Sequence, residues 1–242
     1  MPLISIITVV FNGKKSIEKT IKNIVNQNCE NCEFIIIDGG SDDGTQETVL
    51  KYRDYISVFF SEKDNGLYDA MNKGIKSASG DWVIFINSGD QLNSFVFLEC
   101  ISALKVCTAD IVYGDVLIEK NEQLIMEKAM PIEIINYCQP FCHQSSFVRR
   151  KYFEDNFFNL RYNICADFHW FLNAYLKNAK FQYLSSPISI FESGGISSNF
   201  SFRYFLENFF IVLFSHNSIK SKLFFSLKVI IRLKNHLLSI TK

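Results

Sequence analysis

The chain has 242 residues, a formal net charge of zero and a hydrophobic fraction of 48%, enough to build the core of one domain with a short appendage. The lack of net positive charge argues against a nucleic-acid-binding protein, because such proteins neutralise phosphates with an excess of Lys and Arg. No apolar run reaches the length of a membrane-spanning helix.

The first 92 residues alternate between short apolar runs and segments of helical spacing. The apolar runs are typical of parallel strands that are buried on both faces. They lie at 3–11, 33–38, 56–60 and 82–86. Apolar residues recur at helical spacing in the three segments between them, 17–25, 45–52 and 67–75. This alternation predicts an α/β domain whose largely parallel central sheet is flanked by helices.

Beyond residue 90 the pattern is less regular. It predicts two helices, two short strands and one hairpin. The helices are expected at 95–104 and 167–176, the strands at 111–113 and 147–148, and the hairpin about Asn121 between 115 and 127. Because the composition changes near residue 200, we expect one domain over 1–199 and a helical tail over 200–242.

Polar residues occur at the end of each of the four predicted strands. Ligands of open α/β sheets bind beyond the carboxyl ends of the strands, so these residues predict a ligand site at one edge of the sheet. They are Thr8 and Asn12 on the first strand, Asp38 on the second, Asp64 on the third, and Asn87, Ser88 and Asp90 on the fourth. Such residues are also common in turns, which is the competing explanation for each one taken singly. Neither a P-loop nor a GxGxxG motif is present.

Three motifs in this region carry a family resemblance. They read IDGGSDDGT, EKDNGLYDAMNKG and SGDWVIFINSGD. In this order and spacing they resemble the nucleotide-binding half of glycosyltransferase family 2, closely over 3–92 and more loosely over 140–195. The resemblance implies a Rossmann-like GT-A fold. It also implies an activity similar to that of the bacterial transferases that build O-antigen, capsule and exopolysaccharide.

The resemblance implies a donor site for a nucleotide-diphosphate sugar. Asp38 would bind the nucleobase in a pocket lined by Thr8 and Val10, although a carboxylate there can also cap the next helix. Asp64 and Gly66 would lie near the base and ribose. The other donor-site residues that it implies are Asn12, Gly40, Asn72, Lys73, Asn87, Ser88 and Gly89.

The metal-binding motif departs from the family pattern. Many relatives read Asp-x-Asp-Asp, whereas this chain reads Asn87-Ser88-Gly89-Asp90, so one carboxylate remains. Asp90 corresponds to the acid that binds the metal. A hard divalent ion can keep several waters and bridge phosphates, so we expect Mg²⁺ or Mn²⁺ to bind at Asp90 and to bind weakly without the donor.

The resemblance also points to residues in the second half of the chain. Asp167 matches the acid that acts as the base, with Ala166 where relatives often have Glu; alternatively, Asp167 is an acid favoured by the helix dipole. Asp115 is the second candidate for the base. The acceptor-side candidates are Asp115, His143, Gln144 and Trp170. We expect His169 to be structural.

The seven cysteines are a poor basis for a disulfide framework because their number is odd. We therefore expect reduced cysteines and a cytoplasmic location. The pairs Cys29/Cys32 and Cys138/Cys142, with the adjacent His143, suggest zinc as an alternative. Cysteines that pack as small apolar residues are the simpler interpretation.

The tail combines aromatic residues with cations. From Asn208 onward it contains no Asp or Glu and six basic residues, Lys220, Lys222, Lys228, Arg232, Lys234 and Lys242. This pattern is typical of amphipathic helices at an anionic membrane surface, which predicts contact with the inner face of the cytoplasmic membrane. Packing of the tail on the domain or on a second subunit of a homodimer is the alternative.

The family resemblance, taken with these features, implies an inverting glycosyltransferase. The donor would be a UDP-sugar, carrying a hexose or N-acetylhexosamine, and the acceptor a hydroxyl of a glycan or lipid-linked oligosaccharide. A sugar-nucleotide pyrophosphorylase would carry a glycine-rich basic loop that Asn12-Gly13-Lys14-Lys15 does not match. A non-catalytic nucleotide-sugar-binding subunit remains an alternative. A purely structural membrane-surface protein would leave the acids at the strand ends unexplained.

Overall fold

The computed structural model describes residues 2–121, 123–193 and 202–215. Within these ranges there are nine strands and six α-helices. The strands are β1 (Ile4–Val10), β2 (Cys32–Asp38), β3 (Val58–Ser61), β4 (Trp82–Phe85), β5 (Gln91–Leu92), β6 (Ile111–Lys120), β7 (Gln123–Glu127), β8 (Ser146–Arg149) and β9 (Phe181–Glu192). The helices are α1 (Ile17–Val25), α2 (Thr45–Leu50), α3 (Leu67–Ser77), α4 (Phe97–Val106), α5 (Ala166–Leu176) and α6 (Phe202–Phe214).

All nine strands form one sheet in the order β3-β2-β1-β4-β8-β6-β9-β5, with β7 paired to β6. The first four strands pair in parallel, as predicted. The other half of the sheet is mixed, because β8 runs antiparallel to both β4 and β6 while β6 and β9 are parallel. The architecture is therefore α/β, and the parallel pairing belongs mainly to the N-terminal half.

Strand β1 shows why the centre of this sheet is apolar. Its alternate residues point to opposite faces, so Ile7 packs with helices α3 and α5 on one side, and Ile6 packs with α1 and α4 on the other. Every residue of the strand is buried. The sheet thus has helices on both faces, and the carboxyl ends of its parallel strands are left at one edge.

The second half differs from the sequence expectation in β6, in β9 and in the two-residue β5, which was not predicted. Strand β6 is a single ten-residue strand that continues to the predicted hairpin turn at Asn121, where φ is 50°. Strand β9, with twelve residues, was not predicted at all. It contains Pro187 beside the register irregularity at Asp115 of β6, and a proline inside a run usually argues against a strand.

Helix α6, the described part of the predicted tail, packs on the domain. Phe205, Ile211 and Val212 are buried. The Glu207 carboxylate accepts the backbone N–H groups of the segment before α5, at 3.0 Å from Asn163, 2.9 Å from Ile164 and 3.0 Å from Cys165. Residues 216–242 of the predicted tail lie outside the described residues. In the described ranges, no helix is long and apolar enough to cross a membrane.

The cysteines differ from the expectation that all are reduced. Cys29 and Cys32 form a disulfide between α1 and β2, because the turn joining these elements holds their Cα atoms 5.4 Å apart. The other five cysteines are not in disulfides. Among the described residues, no group of three or more His, Cys, Asp or Glu could hold a metal ion, so the zinc alternative has no support there.

Candidate active site

A cavity of about 610 Å³ opens at the carboxyl ends of β1 and β4. It is lined by residues from both halves of the chain. The sequence-predicted residues among them are Val10, Asn12, Asn87, Ser88, Asp90, His143, Gln144 and Asp167. The fold therefore brings residues that are more than 150 positions apart in the sequence to one edge of the sheet.

A second cavity, of about 520 Å³, adjoins the first and shares five lining residues with it. The shared residues are His143, Gln144, Ile164, Asp167 and Phe191. Much of the remaining lining is apolar, including Val116, Ile118, Met130, Phe141 and Phe168. Asp167 thus lies where the two cavities meet.

Three side chains hold the Asp167 carboxylate in place at the start of α5. The Tyr68 hydroxyl donates to Oδ1 at 2.9 Å, the Gln139 amide donates to Oδ2 at 3.2 Å, and Nδ1 of His143 lies 3.1 Å from Oδ2. Burial raises the pKa of Asp167, but the hydrogen bonds and charge of its neighbours, His143 first, outweigh burial and leave that pKa below its ordinary value. Asp167 is therefore ionised at neutral pH.

His143 has one engaged nitrogen and one without a partner. Its Nδ1 faces Asp167, whereas Nε2 is buried and has no hydrogen-bond partner among the described residues. A buried polar atom of this kind is costly unless a ligand or water satisfies it. The sequence left open whether His143 lines the site, and the structure places it in the lining of both cavities.

Asp90 is held from two directions. The backbone N–H of Glu192 donates to its Oδ1 at 3.0 Å, and the Gln144 amide donates to its Oδ2 at 2.9 Å. Its side chain is buried, and this burial raises the pKa of Asp90 to about 6. The carboxylate is thus fixed in the first cavity by β9 on one side and by the segment before β8 on the other.

Two loops around the cavity contain a residue with a positive φ angle. Gly89 has a φ of 104°, in a region that favours glycine, and its N–H donates to Thr20 Oγ1 at 2.9 Å. Asn12 is left-handed, with a φ of 49°. Its N–H donates to Ser41 Oγ at 2.7 Å, and its Oδ1 accepts the Asp42 N–H at 3.1 Å. Asn12 therefore ties the end of β1 to the turn after β2.

Two residues predicted to bind the nucleobase have their polar groups occupied by the protein. Asp38 is fully buried and accepts hydrogen bonds from the Ser41 N–H, the Ser41 hydroxyl and the Ser61 hydroxyl. The Thr8 hydroxyl donates to the Ile86 carbonyl at 2.6 Å. Both side chains brace neighbouring strand ends, and neither lines the two cavities.

Four further residues of the predicted donor site lie at or near the turn that follows β2, outside both cavities. Gly40, in this turn, has a φ of 81°. The Asp64 Oδ1 accepts a hydrogen bond from the Gly66 N–H at 2.8 Å. Its Oδ2 lies so close to Gly39 that a Cβ atom added to Gly39 would be 2.5 Å from it. Lys73 forms an ion pair with Glu62 at 2.9 Å.

Three of the predicted site residues have structural roles instead. The Asn72 amide exchanges two hydrogen bonds, both 2.9 Å long, with the backbone of Phe158. Trp170 is only 1% exposed and stacks on Phe153 in the core. Asp115, at the irregularity between β6 and β9, accepts the Ala129 N–H at 2.9 Å and the Tyr183 hydroxyl at 2.8 Å. None of the three lines the two cavities.

Three residues that form hydrogen bonds with Asp167 or Asp90 were not among the predicted site residues. Tyr68 and Gln139 donate to Asp167, and Glu192 at the end of β9 lines the first cavity beside Asp90. Tyr68 lies inside the second quoted motif, so its position was a usable signal. Gln139 and Glu192 are far from any recognised motif, and only the folded chain brings them to the site.

Comparison with known protein families agrees with this geometry. The family model described as "Glycosyl transferase family 2" matches residues 5–179. The chain belongs to glycosyl transferase family 2. The match includes both halves of the site, from β1 to the end of α5, so the family 2 assignment covers the Asp90 loop and Asp167 together.

Curated relatives of this family 2 chain are glycosyltransferases. A "PGL/p-HBAD biosynthesis glycosyltransferase" from Mycobacterium bovis (strain BCG / Pasteur 1173P2) is 28% identical over 214 residues, which cover 85% of this chain and 83% of the relative. A "Cholesterol galactosyltransferase" from Borreliella burgdorferi is 34% identical over 111 residues, covering 45% of this chain and 31% of the relative.

Solved structures confirm the GT-A fold. The S. aureus TarS fragment 1–349 in complex with UDP-GlcNAc superposes with a TM-score of 0.72 at 18% identity, covering 92% of this chain and 69% of TarS. The mannosyltransferase PcManGT from Pyrobaculum calidifontis, in complex with GDP-Man and Mn²⁺, has a TM-score of 0.63 at 12% identity and covers 96% of this chain and 81% of its own. At these identities the likeness concerns the fold alone.

The residues near Asp90 fit a hard divalent ion. Asn87 lines the first cavity, and its Oδ1 is shielded from solvent without a hydrogen-bond partner in the described part of the chain. An amide oxygen and a carboxylate that line the same cavity are donors that Mg²⁺ and Mn²⁺ accept. Two protein oxygens leave most of the coordination shell to a diphosphate and water.

Proposed function

We propose that this family 2 protein transfers a sugar from a nucleotide-diphosphate donor to an acceptor hydroxyl, with inversion at the anomeric carbon. The observation that carries the proposal is the place of Asp167, which lines both cavities at once. A base in this position reaches an acceptor in one cavity while the donor occupies the other. The product would be part of a bacterial surface glycan.

The first cavity is the proposed donor site. It adjoins the carboxyl ends of β1 and β4, the edge where α/β folds bind nucleotides, and it contains Asp90, Asn87 and Ser88. The TarS structure holds UDP-GlcNAc and the PcManGT structure holds GDP-Man. We propose a UDP-hexose or UDP-N-acetylhexosamine as the donor, and Asp64, Gly66 and the turn at Gly40 as the base-side contacts.

The proposed reaction is a single in-line displacement. The acceptor oxygen forms a bond to the anomeric carbon, and the bond from that carbon to the diphosphate oxygen breaks. The hydroxyl proton passes to Asp167, and the nucleoside diphosphate leaves with the bonding electron pair. A divalent ion at Asp90 and Asn87 would offset the negative charge of the diphosphate.

Asp167 is suited to this role by its neighbours. Its lowered pKa keeps the carboxylate ionised at neutral pH, which is the form that can accept a proton. Tyr68, Gln139 and His143 fix the direction of its oxygens, and a fixed base avoids the cost of reorienting during the reaction. His143 acts as a positioning residue, since it contacts Asp167 through Nδ1.

The second cavity is the proposed acceptor site. Its apolar side chains, among them Val116, Ile118 and Met130, suit an acceptor with an apolar portion next to the reacting hydroxyl. The names of two relatives, a PGL/p-HBAD biosynthesis glycosyltransferase and a cholesterol galactosyltransferase, agree with such an acceptor. We propose a lipid-linked glycan.

The enzyme would bind a lipid-linked acceptor at a membrane surface. The proposed contact is the basic segment after α6, with the six Lys and Arg residues named above and no acidic residue. Phe202, Phe210 and Phe214 of α6 are exposed and add apolar surface at the same end of the chain. The proposed location is the inner face of the cytoplasmic membrane.

A panel of nucleotide sugars tests the donor assignment. The thermal midpoint is measured with UDP-, GDP- and dTDP-sugars, each with and without Mn²⁺. One ligand at a hundredfold excess over its Kd stabilises the folded state by about 2.7 kcal/mol. We expect the largest rise with a UDP-sugar, and a panel without any shift would overturn the proposal.

A non-catalytic nucleotide-sugar-binding subunit is the second candidate. It is favoured by Gly89, which stands where relatives of this family carry an acid. The two candidates differ in turnover. A chain that binds a nucleotide sugar but neither hydrolyses nor transfers it, with simple glycosides or lipid-linked glycans as acceptors, would be such a subunit.

A further inference from the structure

We infer that Glu192, at the end of β9, supplies the second carboxylate of the metal–diphosphate site and occupies the space that Gly89 leaves free. The inference rests on the proposed function, because it concerns how the donor's diphosphate is held. It assigns a role to a residue 102 positions after Asp90 in the chain.

The first observation is steric. A Cβ atom added to Gly89 would overlap Oε2 of Glu192. The glutamate carboxylate therefore fills the space into which a side chain at position 89 would begin to grow. In relatives with the Asp-x-Asp-Asp pattern an acid stands at this position, so the negative charge is retained here and comes from another strand.

The second observation is that the backbone holds Glu192 at Asp90. The Glu192 N–H donates to Asp90 Oδ1 at 3.0 Å, which fixes the end of β9 to the loop after β4. Gly89 has a φ of 104°, a backbone conformation that disfavours an Asp. Because position 89 has this backbone conformation, a carboxylate from β9 can reach the metal–diphosphate site without backbone strain at position 89.

The third observation is that no described residue engages the Glu192 carboxylate. The side chain is exposed to the first cavity, and no hydrogen bond or ion pair engages its oxygens within the described residues. By contrast Glu119, its register partner on β6, forms an ion pair with Lys19 at 2.6 Å. Glu192 is free to bind a cation.

Together the three donors form a set of one chemical kind. Asp90 and Glu192 provide carboxylate oxygens, and Asn87 provides a buried amide oxygen that no described residue binds. All are hard oxygen ligands, the type that Mg²⁺ and Mn²⁺ prefer over softer donors. A second carboxylate raises affinity for the cation, which a site with Asp90 alone would bind more weakly.

The test measures Mn²⁺ binding directly. Free Mn²⁺ is followed by electron paramagnetic resonance during titration of the full chain, with and without UDP. The variants are Glu192→Gln and, as a matched control, Glu119→Gln, which changes the same charge one strand away. Thermal unfolding without metal verifies that both variants fold like the wild type.

We expect Glu192→Gln to raise the Kd for Mn²⁺ in the presence of UDP at least tenfold, and Glu119→Gln to leave it unchanged. Equal Mn²⁺ affinity in Glu192→Gln and wild type overturns the inference, as does an equal loss in both variants. If the wild type binds UDP but Mn²⁺ changes nothing, the inference fails while the proposed function stands. If it binds no nucleotide at all, the proposed function itself fails.

Discussion

Nδ1 of His143 lies 3.1 Å from Oδ2 of Asp167, at the point where the two cavities meet. The pair joins the segment before β8 to the first turn of α5. Because His143 also lowers the pKa of Asp90 through its charge, one imidazole influences both acids of the proposed site. Nε2 of His143 is buried and has no hydrogen-bond partner among the described residues. It is therefore available for a hydrogen bond with a bound ligand.

Replacing His143 should shift the pH dependence of turnover. Burial raises the pKa of Asp167, whereas His143 lowers it. In His143→Leu the lowering effect is lost, so the pKa of Asp167 should rise. The acidic limb of kcat, measured at saturating donor, should move to higher pH in the variant. Profiles that superimpose after scaling would contradict a positioning role for His143.

Asp38 and Asp64 should differ in their effect on stability. Asp38→Ala removes the buried acceptor of three hydrogen bonds and should lower the free energy of unfolding by about 2–4 kcal/mol. Asp64→Ala removes one hydrogen bond at a partly exposed turn and should cost under about 1 kcal/mol. Urea unfolding of both variants measures the difference, and similar losses would refute it.

Trp170 should matter for the core and have no direct effect on the donor. Its ring stacks on Phe153 with a centroid distance of 4.5 Å and is almost fully buried. Trp170→Ala should lower the free energy of unfolding by about 3–5 kcal/mol. The Kd for the nucleotide sugar, measured well below the melting temperature, should stay within about twofold of wild type, a shift under 1 kcal/mol. A stable variant that loses activity would instead place Trp170 at the acceptor.

Two truncations should distinguish the roles of the two parts of the predicted tail. Deleting 216–242 removes all six tail cations and should abolish binding to vesicles of phosphatidylglycerol and phosphatidylethanolamine, with little change in the thermal midpoint. Deleting from 202 onward also removes Glu207 and the buried face of α6, so the midpoint should fall. Vesicle binding that survives the shorter deletion would rule out the proposed membrane contact.

The edge of the sheet was predictable because its signals are local. In β1, β2 and β4, the apolar run and the polar residues that follow it are adjacent in the sequence, so Asn12 and Asp90 could be placed at one edge. The direction of a side chain was less predictable. Thr8 and Asp38 lie at the correct strand ends, yet their polar groups bind the protein.

The residues that escaped prediction depend on tertiary contacts. Glu192 reaches Asp90 only because β9 pairs in parallel with β6 and ends beside the loop after β4, and its sequence, with Pro187, does not resemble a strand. Trp170 was an acceptor-side candidate as part of the segment that follows Asp167 in the sequence. In the structure, the Trp170 side chain packs in the core against the aromatic rings of Phe153 and Phe158.

The decisive experiment on the proposed role of Asp167 compares sugar transfer and donor binding in Asp167→Asn with those of the wild type. As a matched control, Asp115→Asn changes a buried carboxylate that lies outside both cavities. Asp167→Asn should bind the nucleotide sugar like the wild type and transfer it roughly 10²–10⁴-fold more slowly, while folded Asp115→Asn should keep wild-type turnover. Wild-type transfer by Asp167→Asn would contradict the account.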